Sequence, residues 1–312
     1  MLNHPDSSPI FEQLSAALAS LEQDTALRHK ERFIERAEAL DFIDFHLIHG
    51  IQPLIGIGAS EAAAGYALLE RAQRLQSILE HVDHDLIAAL RNGIRSAASS
   101  RAELDRLVRR YSAQSSDRND GLLVHNHLDD FVNSLLSVKN PTLETQVERE
   151  PEMVFFQATP VRYILEMIDR AHIAETDVFY DLGCGLGRVV MLVTLLTGAA
   201  AVGVEVERSY CRYAQLCAEA LGITTIQIQN ADARAATYTD GSIFFMYHPF
   251  TGEILERVLQ RLRTHAEGRR IRLCTLGRCT LTVARQEWLE LSGPGECNEF
   301  QLAVFTNKRL VN

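Results

Sequence analysis

The stretch DVFYDLGCGLGRVV (177–190) decides the fold of this chain. An apolar run that suits a buried strand leads into Asp181, and glycines at 183, 185 and 187 precede a second apolar run typical of a helix. Glycine permits the positive φ angles and the close backbone approach that a tight strand-to-helix turn needs. The first turn of a helix offers free N–H groups to a ligand. The stretch therefore predicts a strand, a ligand-binding loop and a helix in succession.

The spacing around the glycines indicates which ligand the loop binds. A dinucleotide loop has the pattern GxGxxG, but the third glycine would fall at Arg188. A P-loop would need Lys and then Ser or Thr after the last glycine, where Arg188 and Val189 stand. The Asp181 carboxylate would repel a pyrophosphate, whereas opposite charges about 4 Å apart gain about 4 kcal/mol at an effective dielectric near 20. S-adenosylmethionine, which carries a sulfonium and an ammonium and no phosphate, is the predicted cofactor.

Two further acids follow the next two predicted strands. Glu205, in VGVEVE (202–207), ends the second predicted strand and suits both hydroxyls of a ribose, as the acid of a dinucleotide site does. Asp232, in QNADAR (229–234), is placed to accept the adenine amino group. Together with Asp181 and the glycines, these acids predict an adenosyl site; the alternative is a fold of the same kind that has lost its ligand.

Short β-rich runs alternate with helical runs after residue 152, which predicts a parallel sheet with crossover helices. Two late runs have no long helix between them and predict an antiparallel pair that closes the sheet. The fold class is therefore α/β, a Rossmann-like sheet with an antiparallel last hairpin. The predicted strands are 177–182, 200–205, 224–229, 242–247, 270–275, 286–291 and 299–306, and the predicted helices are 160–171, 186–197, 207–221 and 251–265.

The first part of the chain has a helical period instead. Apolar residues recur three and four apart from Phe11 onward, and helical runs are predicted over 26–49, 60–80, 83–98, 100–112 and 126–137. The polar segment 139–152 contains two prolines and suits a linker. We therefore predict a helical accessory domain over 1–138, a linker over 139–152 and a cofactor-binding domain over 153–312.

The composition of the chain limits the kinds of binding partner and the cellular compartment that we expect. Of the formal net charge of −10, residues 1–150 carry −8, which argues against a long nucleic-acid footprint because such binding depends on neutralised phosphates. No run approaches the roughly 20 apolar residues that span a bilayer, so no membrane partner is expected. No Cys or His spacing resembles a zinc site, and we predict no metal. Six cysteines without a paired pattern indicate reduced thiols and a cytoplasmic protein.

Four segments resemble one family. FFQATPVRYILEMIDRA (155–171), DVFYDLGCGLGRVV, GVEVERSYC (203–211) and FFMYHPFTGEIL (244–255) are similar to the class I methyltransferase superfamily. Within it, they resemble the non-SET histone-lysine methyltransferases, known as disruptor of telomeric silencing, and their bacterial relatives. The resemblance implies an S-adenosylmethionine-dependent methyltransferase with the sheet described above.

The resemblance also implies roles for individual residues. Phe156 and Thr159 belong to a segment that folds over the cofactor ahead of the first strand. The implied cofactor-binding residues are Phe156, Thr159, Asp181, Gly183, Gly185, Gly187, Glu205 and Asp232. The family's nucleosome-binding basic extension is absent, and an acidic helical region stands in its place, which argues against a histone substrate.

The loop after the fourth strand, Met246–Phe250, is where the acceptor would meet the methyl group. Methyl transfer mainly requires an acceptor held in line with the methyl carbon. A hydroxyl acceptor also needs a base, which His248 supplies near neutral pH, and Tyr247 would orient the acceptor. The alternatives are that His248 caps the following helix and that Tyr247 is a core residue. The predicted function is methyl transfer to nitrogen or oxygen of a small molecule or a protein side chain; a non-catalytic adenosyl-binding module and an RNA methyltransferase remain the alternatives.

Overall fold

The computed structural model describes residues 8–52, 59–96, 101–115, 126–138, 150–293 and 297–308. The chain forms two compact units. One lies within Met1–Leu90 together with Ala113–Ser115, and the other within Arg91–Ser112 together with Ser116–Asn312. The predicted limits of the accessory domain, 1–138, and of the cofactor domain, 153–312, stay a prediction, and most of the predicted 139–152 linker lies outside the described residues.

The described part of the first unit is helical, as its apolar period predicts. It contains α1 (Ser8–Gln23), α2 (Phe33–Phe42) and the start of α3 (Ala59–Arg95), with short 3-10 turns at Thr25–Arg28 and Lys30–Arg32 and a π-helical segment at Ile43–His49. The predicted break between 80 and 83 is wrong, because α3 runs through it. Buried Leu18, Ile43 and Leu79 belong to the core of this unit.

Two further helices, α4 (Arg101–Ser115) and α5 (His127–Leu136), precede the sheet. A capping box begins α5: the Asn126 side chain accepts from the Asp129 N–H at 3.2 Å, and the Asp129 carboxylate accepts from the Asn126 N–H at 3.2 Å. Tyr111 and Phe131 meet edge to face at 4.9 Å between ring centroids. The end of α4 and the middle of α5 are thereby packed together.

The predicted parallel sheet with a reversed last hairpin is confirmed. Its strands lie in the order β3-β2-β1-β4-β5-β7-β6. The first five are parallel, and β7 is antiparallel to both β5 and β6. The strands are β1 (Val178–Leu182), β2 (Ala200–Glu205), β3 (Ile226–Asn230), β4 (Ile243–Tyr247), β5 (Arg272–Leu276), β6 (Leu289–Leu291) and β7 (Ala303–Asn307).

One helix precedes β1 and three cross over between parallel strands at the predicted places, and a short helix follows β5. They are α6 (Val161–Arg170), α7 (Arg188–Thr197), α8 (Arg208–Ala220), α9 (Gly252–His265) and the short α10 (Cys279–Val283), which the sequence period did not predict. Alternate strand residues such as Tyr180, Phe244 and Leu273 form one core cluster with Val258 and Leu262 of α9.

The order of the strands also places the functional site. The chain builds β1, β2 and β3 outward in one direction and then returns to place β4 on the other side of β1. In sheets of this kind, ligands bind beyond the carboxyl ends of the strands at such a reversal. Asp181 of β1, Glu205 of β2 and Tyr247 of β4 all lie at these ends.

Candidate adenosyl and acceptor site

A cavity of about 150 Å³ lies beyond the carboxyl ends of β1, β2 and β4. Both predicted acceptor residues, Tyr247 and His248, line it. Most of the predicted cofactor residues line it as well, namely Phe156, Thr159, Asp181, Gly183, Glu205 and Asp232. Gly185 and Gly187 are not among its lining residues. The fold thus brings the two predicted half-sites, for cofactor and for acceptor, into one space.

Each glycine of the loop has a positive φ angle and a close neighbour. A Cβ on Gly183 would lie 2.5 Å from Pro249, and one on Gly185 would lie 2.3 Å from the Phe156 ring. A Cβ on Gly187 would lie 2.8 Å from Ala214 of α8. Gly183 is therefore required by the loop after β4, Gly185 by the segment that precedes α6, and Gly187 by helix packing.

Asp181 is a buried carboxylate for which the described part of the chain provides no counter-ion. It is 3% exposed, and within the described residues no hydrogen bond to its carboxylate is found. Burial, with a further contribution from the Glu205 charge, raises the pKa of Asp181 to about 8. A buried carboxylate is stable as an anion only when a cation or several donors face it. The cavity beside Asp181 therefore suits a positively charged ligand.

Glu205 joins the glycine loop to the start of α8. Its carboxylate accepts from the Gly185 N–H and from the Glu207 N–H, both at 2.9 Å. Burial nevertheless raises the pKa of Glu205 above its usual range. Each carboxylate oxygen accepts more than one hydrogen bond, so acceptor capacity remains for the hydroxyls of a ribose.

Asp232 has an ionic partner. Arg234 donates to its carboxylate through Nε at 3.0 and 3.1 Å, and the Arg234 backbone N–H donates to it at 2.7 Å. These contacts hold the pKa of Asp232 below its usual range. Arg234 also pairs with Glu150. The adenine role of Asp232 stays a prediction, and the structure shows that its carboxylate is already shared with Arg234.

A strap, residues 152–159, crosses the cavity and is fixed at both ends. At one end it meets the loop after β4, because Val154 N–H donates to the Pro249 carbonyl at 3.0 Å and Thr251 N–H donates to the Glu152 carbonyl at 2.9 Å. At the other end, the Thr159 carbonyl accepts from the Arg188 guanidinium. The strap thereby connects the acceptor loop to the cofactor loop.

Phe156 is the strap residue that touches the glycine loop. Its ring covers Gly185 and meets Tyr210 of α8 edge to face, with 5.6 Å between ring centroids. Phe156 is 39% exposed, so its other surface is open. The segment implied by the resemblance to fold over the cofactor does lie over the cofactor loop.

The acceptor loop holds His248 in a strained conformation. Its φ is +44°, a left-handed value that is uncommon outside glycine, and a Cβ on the neighbouring Gly277 would lie 2.7 Å from the His248 Cβ. Burial and the nearby Arg278 charge lower the pKa of His248, so its neutral form, which accepts a proton, prevails at neutral pH. Its Nδ1 is buried without a hydrogen-bond partner in the part of the chain that the structure describes. Within the described ranges, therefore, no carboxylate accepts a hydrogen bond from Nδ1 to fix the tautomer of this ring.

Tyr247 has a hydroxyl that is also buried and has no hydrogen-bond partner among the described residues. Burial raises the pKa of Tyr247 to about 12, so it remains a neutral phenol.

The alternative that His248 caps the following helix is not what the structure shows. The Glu152 carboxylate instead accepts from the Ile254 N–H, in the first turn of α9, at 2.9 Å. Two unsatisfied polar groups thus stand together on the acceptor loop.

The sequence analysis did not predict that Arg188 is a buried residue of the cavity wall. The residue is 5% exposed and forms an ion pair with Asp129 of α5 at 3.2 Å. Asn133, one turn further along α5, accepts from the same guanidinium at 3.1 Å. The available signal was a single charge at the head of the otherwise apolar RVVMLVTLLT, the sequence of α7.

The described residues contain no group of three or more His, Cys, Asp or Glu side chains that could hold a metal ion. The six cysteines, all of them described, are free thiols. None of the described helices is both long enough and apolar enough to cross a lipid bilayer.

Comparison with known proteins agrees with the resemblance. Residues 153–242 match the family model described as histone methylation protein DOT1. A histone-lysine N-methyltransferase specific for H3 lysine-79 from Dictyostelium discoideum is 26% identical over 140 residues, which cover 40% of this chain and 8% of that protein. The chain thus spans less than a tenth of the length of this curated relative.

Solved structures with a similar fold are more distant in sequence. An RNA methyltransferase from Salinibacter ruber is 21% identical, with a TM-score of 0.37, over 48% of this chain and 92% of its own. A ribosomal protein L11 methylase from Lactobacillus delbrueckii is 16% identical, with a TM-score of 0.40, over 51% and 84%. The family-model match and the sheet order agree with the predicted resemblance to class I methyltransferases of the DOT1 type.

Proposed function

We propose that this protein transfers a methyl group from S-adenosylmethionine to a nitrogen or oxygen atom of a small molecule or a protein side chain. The observation that carries the proposal is Asp181, a buried carboxylate in the wall of the cavity that has no counter-ion among the residues that the structure describes. S-adenosylmethionine supplies a methyl group on a positively charged sulfur, which makes the methyl carbon electrophilic. The residues present fit this cofactor, because two acids and the open face of an aromatic ring surround the space beside the glycine loop.

The roles of the binding residues follow from their positions. Asp181 would face the cationic end of the cofactor, and Glu205 would accept the ribose hydroxyls while it holds the glycine loop through the Gly185 N–H. Asp232 would contact the adenine amino group. Phe156 would contact the sulfonium through the attraction between a cation and an aromatic face. Thr159 would anchor the strap through its carbonyl.

The acceptor would enter beside the loop after β4. Transfer would break the bond between the methyl carbon and the sulfonium sulfur, which would leave as the neutral thioether of S-adenosylhomocysteine. The acceptor atom would lose its proton as it bonds to the methyl carbon, and neutral His248 is the group proposed to accept that proton. Tyr247 would orient the acceptor with its unpartnered hydroxyl. We propose only that the acceptor atom is nitrogen or oxygen. Because the Dictyostelium relative is a histone-lysine methyltransferase, a lysine-type amine is the first acceptor to test. The cytoplasmic location stays a prediction.

A transfer assay tests the activity. Purified protein is incubated with methyl-labelled S-adenosylmethionine and, separately, with a protein fraction and a small-molecule fraction as acceptors. We expect label to appear in one fraction and to be lost with His248→Ala, while cofactor binding by that variant, measured by calorimetry, stays within about threefold of wild type.

Two results would contradict the proposal. Tight cofactor binding with no label in either fraction would favour the non-catalytic adenosyl-binding module. Label transferred equally by wild type and His248→Ala would remove His248 from the reaction and leave the transferase assignment standing.

A further inference from the structure

The acceptor end of the cavity, formed by Tyr247 and His248, carries little charge. Both side chains are predominantly neutral at pH 7, because burial raises the pKa of the tyrosine hydroxyl and lowers that of the imidazole. The described charges close enough to act on His248 are those of Arg278 and Glu299, which lie 3.5 Å apart and offset each other. A charged amine would therefore gain little at this end of the cavity, so the surroundings favour a neutral acceptor.

Two polar atoms at the acceptor end define the hydrogen bonds that an acceptor would make. The Tyr247 hydroxyl and His248 Nδ1 are both buried, and neither has a hydrogen-bond partner in the ranges that the structure covers. Buried polar groups are rarely left without a partner, and a bound ligand is one way to supply it. The Tyr247 O–H is a donor, and the unprotonated nitrogen of a neutral imidazole is an acceptor. A matching group must therefore accept one hydrogen bond and donate another.

A hydroxyl meets this requirement while it reacts. Its oxygen has two lone pairs, so one accepts from Tyr247 while the other attacks the methyl carbon, and its proton is donated to His248. A neutral amine has a single lone pair, which the attack occupies, so an amine acceptor would leave the Tyr247 O–H without an acceptor. A buried donor that loses its partner is costly. The pair of side chains therefore favours oxygen over nitrogen.

The remaining walls near the acceptor loop indicate what carries the hydroxyl. Phe155 of the strap lines the cavity and is 78% exposed, and Phe156 beside it is 39% exposed. Phe250, which follows the acceptor loop, lines the same cavity. Aromatic side chains pack favourably against another ring, either stacked or edge to face. A hydroxyl on an aromatic ring, with an ordinary pKa of about 10, also gives up its proton to an imidazole more readily than an aliphatic alcohol does.

We infer that the methyl acceptor is an aromatic hydroxyl, held between the Tyr247 hydroxyl and His248 Nδ1. The inference rests on the proposed function and narrows it from nitrogen or oxygen to a phenolic oxygen. In the transfer, the acceptor oxygen bonds to the methyl carbon, its O–H bond breaks and the proton passes to His248. The electron pair of the carbon–sulfur bond stays on sulfur. The products are an aryl methyl ether and S-adenosylhomocysteine, and His248 then returns its proton to solvent.

The test compares acceptors that differ in the reacting group. Phenol, aniline, benzylamine and a lysine-containing peptide are each incubated at pH 7 with methyl-labelled S-adenosylmethionine, and kcat/KM is measured for each. Phenol and aniline are both neutral and share a ring, so they isolate the acceptor atom, whereas benzylamine and the peptide present charged amines. Binding of S-adenosylhomocysteine is measured by calorimetry on every variant.

Two tyrosine variants supply the matched comparison. Tyr247→Phe removes the hydroxyl that the inference assigns to the acceptor. Tyr180→Phe removes a hydroxyl that donates to the Asp240 carboxylate at 2.8 Å, and Tyr180 is not among the residues that line the cavity. The two changes are chemically identical, so a difference between them reports on the acceptor end.

We expect wild type to use phenol with a kcat/KM at least about tenfold higher than that for any of the three amines, since a site built for a hydroxyl discriminates against groups that leave its polar atoms unpaired. In Tyr247→Phe the ratio of phenol to aniline should fall by about fivefold or more, with S-adenosylhomocysteine bound as in wild type. Tyr180→Phe should keep the wild-type ratio.

Three results would overturn the inference: faster methylation of an amine than of phenol, no label in phenol, or an unchanged ratio of phenol to aniline in Tyr247→Phe. Each of them leaves the proposed function standing when label enters another acceptor. Failure of wild type to bind S-adenosylhomocysteine would instead refute the proposed function itself.

Discussion

Replacement of Asp181 by asparagine isolates the electrostatic argument. Asparagine keeps the shape of the side chain and removes its charge. A carboxylate about 4 Å from a cation gains about 4 kcal/mol at an effective dielectric near 20. In the unliganded protein the pKa of Asp181 is raised to about 8, so ionising it for the ligand at pH 7 offsets about tenfold of this gain in affinity. The remainder corresponds to roughly a hundredfold in affinity.

The same reasoning fixes how the effect depends on pH. At pH 6 ionising Asp181 is about tenfold less favourable than at pH 7, so the loss of affinity in Asp181→Asn should shrink to roughly tenfold. The ligand amine, with an ordinary pKa of about 8, stays charged at both values, so the change is attributable to Asp181. Titration calorimetry with S-adenosylmethionine at pH 6 and pH 7 measures both losses.

Stability without ligand should change in the opposite direction. An acid whose folded pKa is raised binds more protons when folded, so its contribution to stability falls as pH rises from about 4 to about 8. Asp181→Asn lacks this loss, and its unfolding temperature relative to wild type should increase over that interval. Equal affinities for the cofactor in wild type and Asp181→Asn at pH 7 would refute the reasoning.

Three further substitutions probe the loops. Gly185→Ala should lower the free energy of unfolding by about 1–2 kcal/mol because its backbone is left-handed, and by more because the new Cβ would clash with Phe156. The control, Gly268→Ala, has φ +75° and open space around the new Cβ, so it should show only the loss that the backbone causes. Chemical denaturation of both variants measures the difference. His248→Ala should lower kcat. In wild type, kcat should rise with pH and its inflection should lie below pH 6.5, because the pKa of His248 is lowered. An inflection above pH 6.5 in the profile would contradict this. Tyr247→Phe should leave the unfolding midpoint equal or higher, since its hydroxyl is buried without a partner, yet should lower turnover; a lower midpoint with normal turnover would show that Tyr247 is purely structural.

Much of the fold followed from local pattern. The strand positions, the helix before β1, the three long crossover helices and the reversed last hairpin were predictable, because the apolar period and the glycine positions can be read directly from the sequence. The continuity of α3 was not predictable from the sequence. Helix formation is cooperative, so a helix continues through a few residues with a poor helical pattern when the residues on both sides are helical. The short α10 has too few residues for a period to be recognised.

The candidate site divides in the same way. Asp181, Glu205 and the glycines are adjacent to strand ends, so the sequence predicted them together, and the structure places the two acids within electrostatic reach of each other. The partnership of Asp129 with Arg188 joins residues 59 positions apart and is visible only in three dimensions. The ion pair of Arg234 with Glu150 likewise joins residues 84 positions apart, whereas its ion pair with Asp232 is local.

The central claim is that a buried, uncompensated carboxylate beside the glycine loop selects a cationic adenosyl ligand over a phosphorylated one. Competition calorimetry at pH 7 tests it directly, with S-adenosylmethionine titrated into wild-type protein in the presence and absence of excess ATP or NAD. We expect one molecule of S-adenosylmethionine to bind per chain with an affinity that neither competitor changes. Displacement of S-adenosylmethionine by ATP or NAD, or heat from either competitor alone with none from S-adenosylmethionine, would contradict the account.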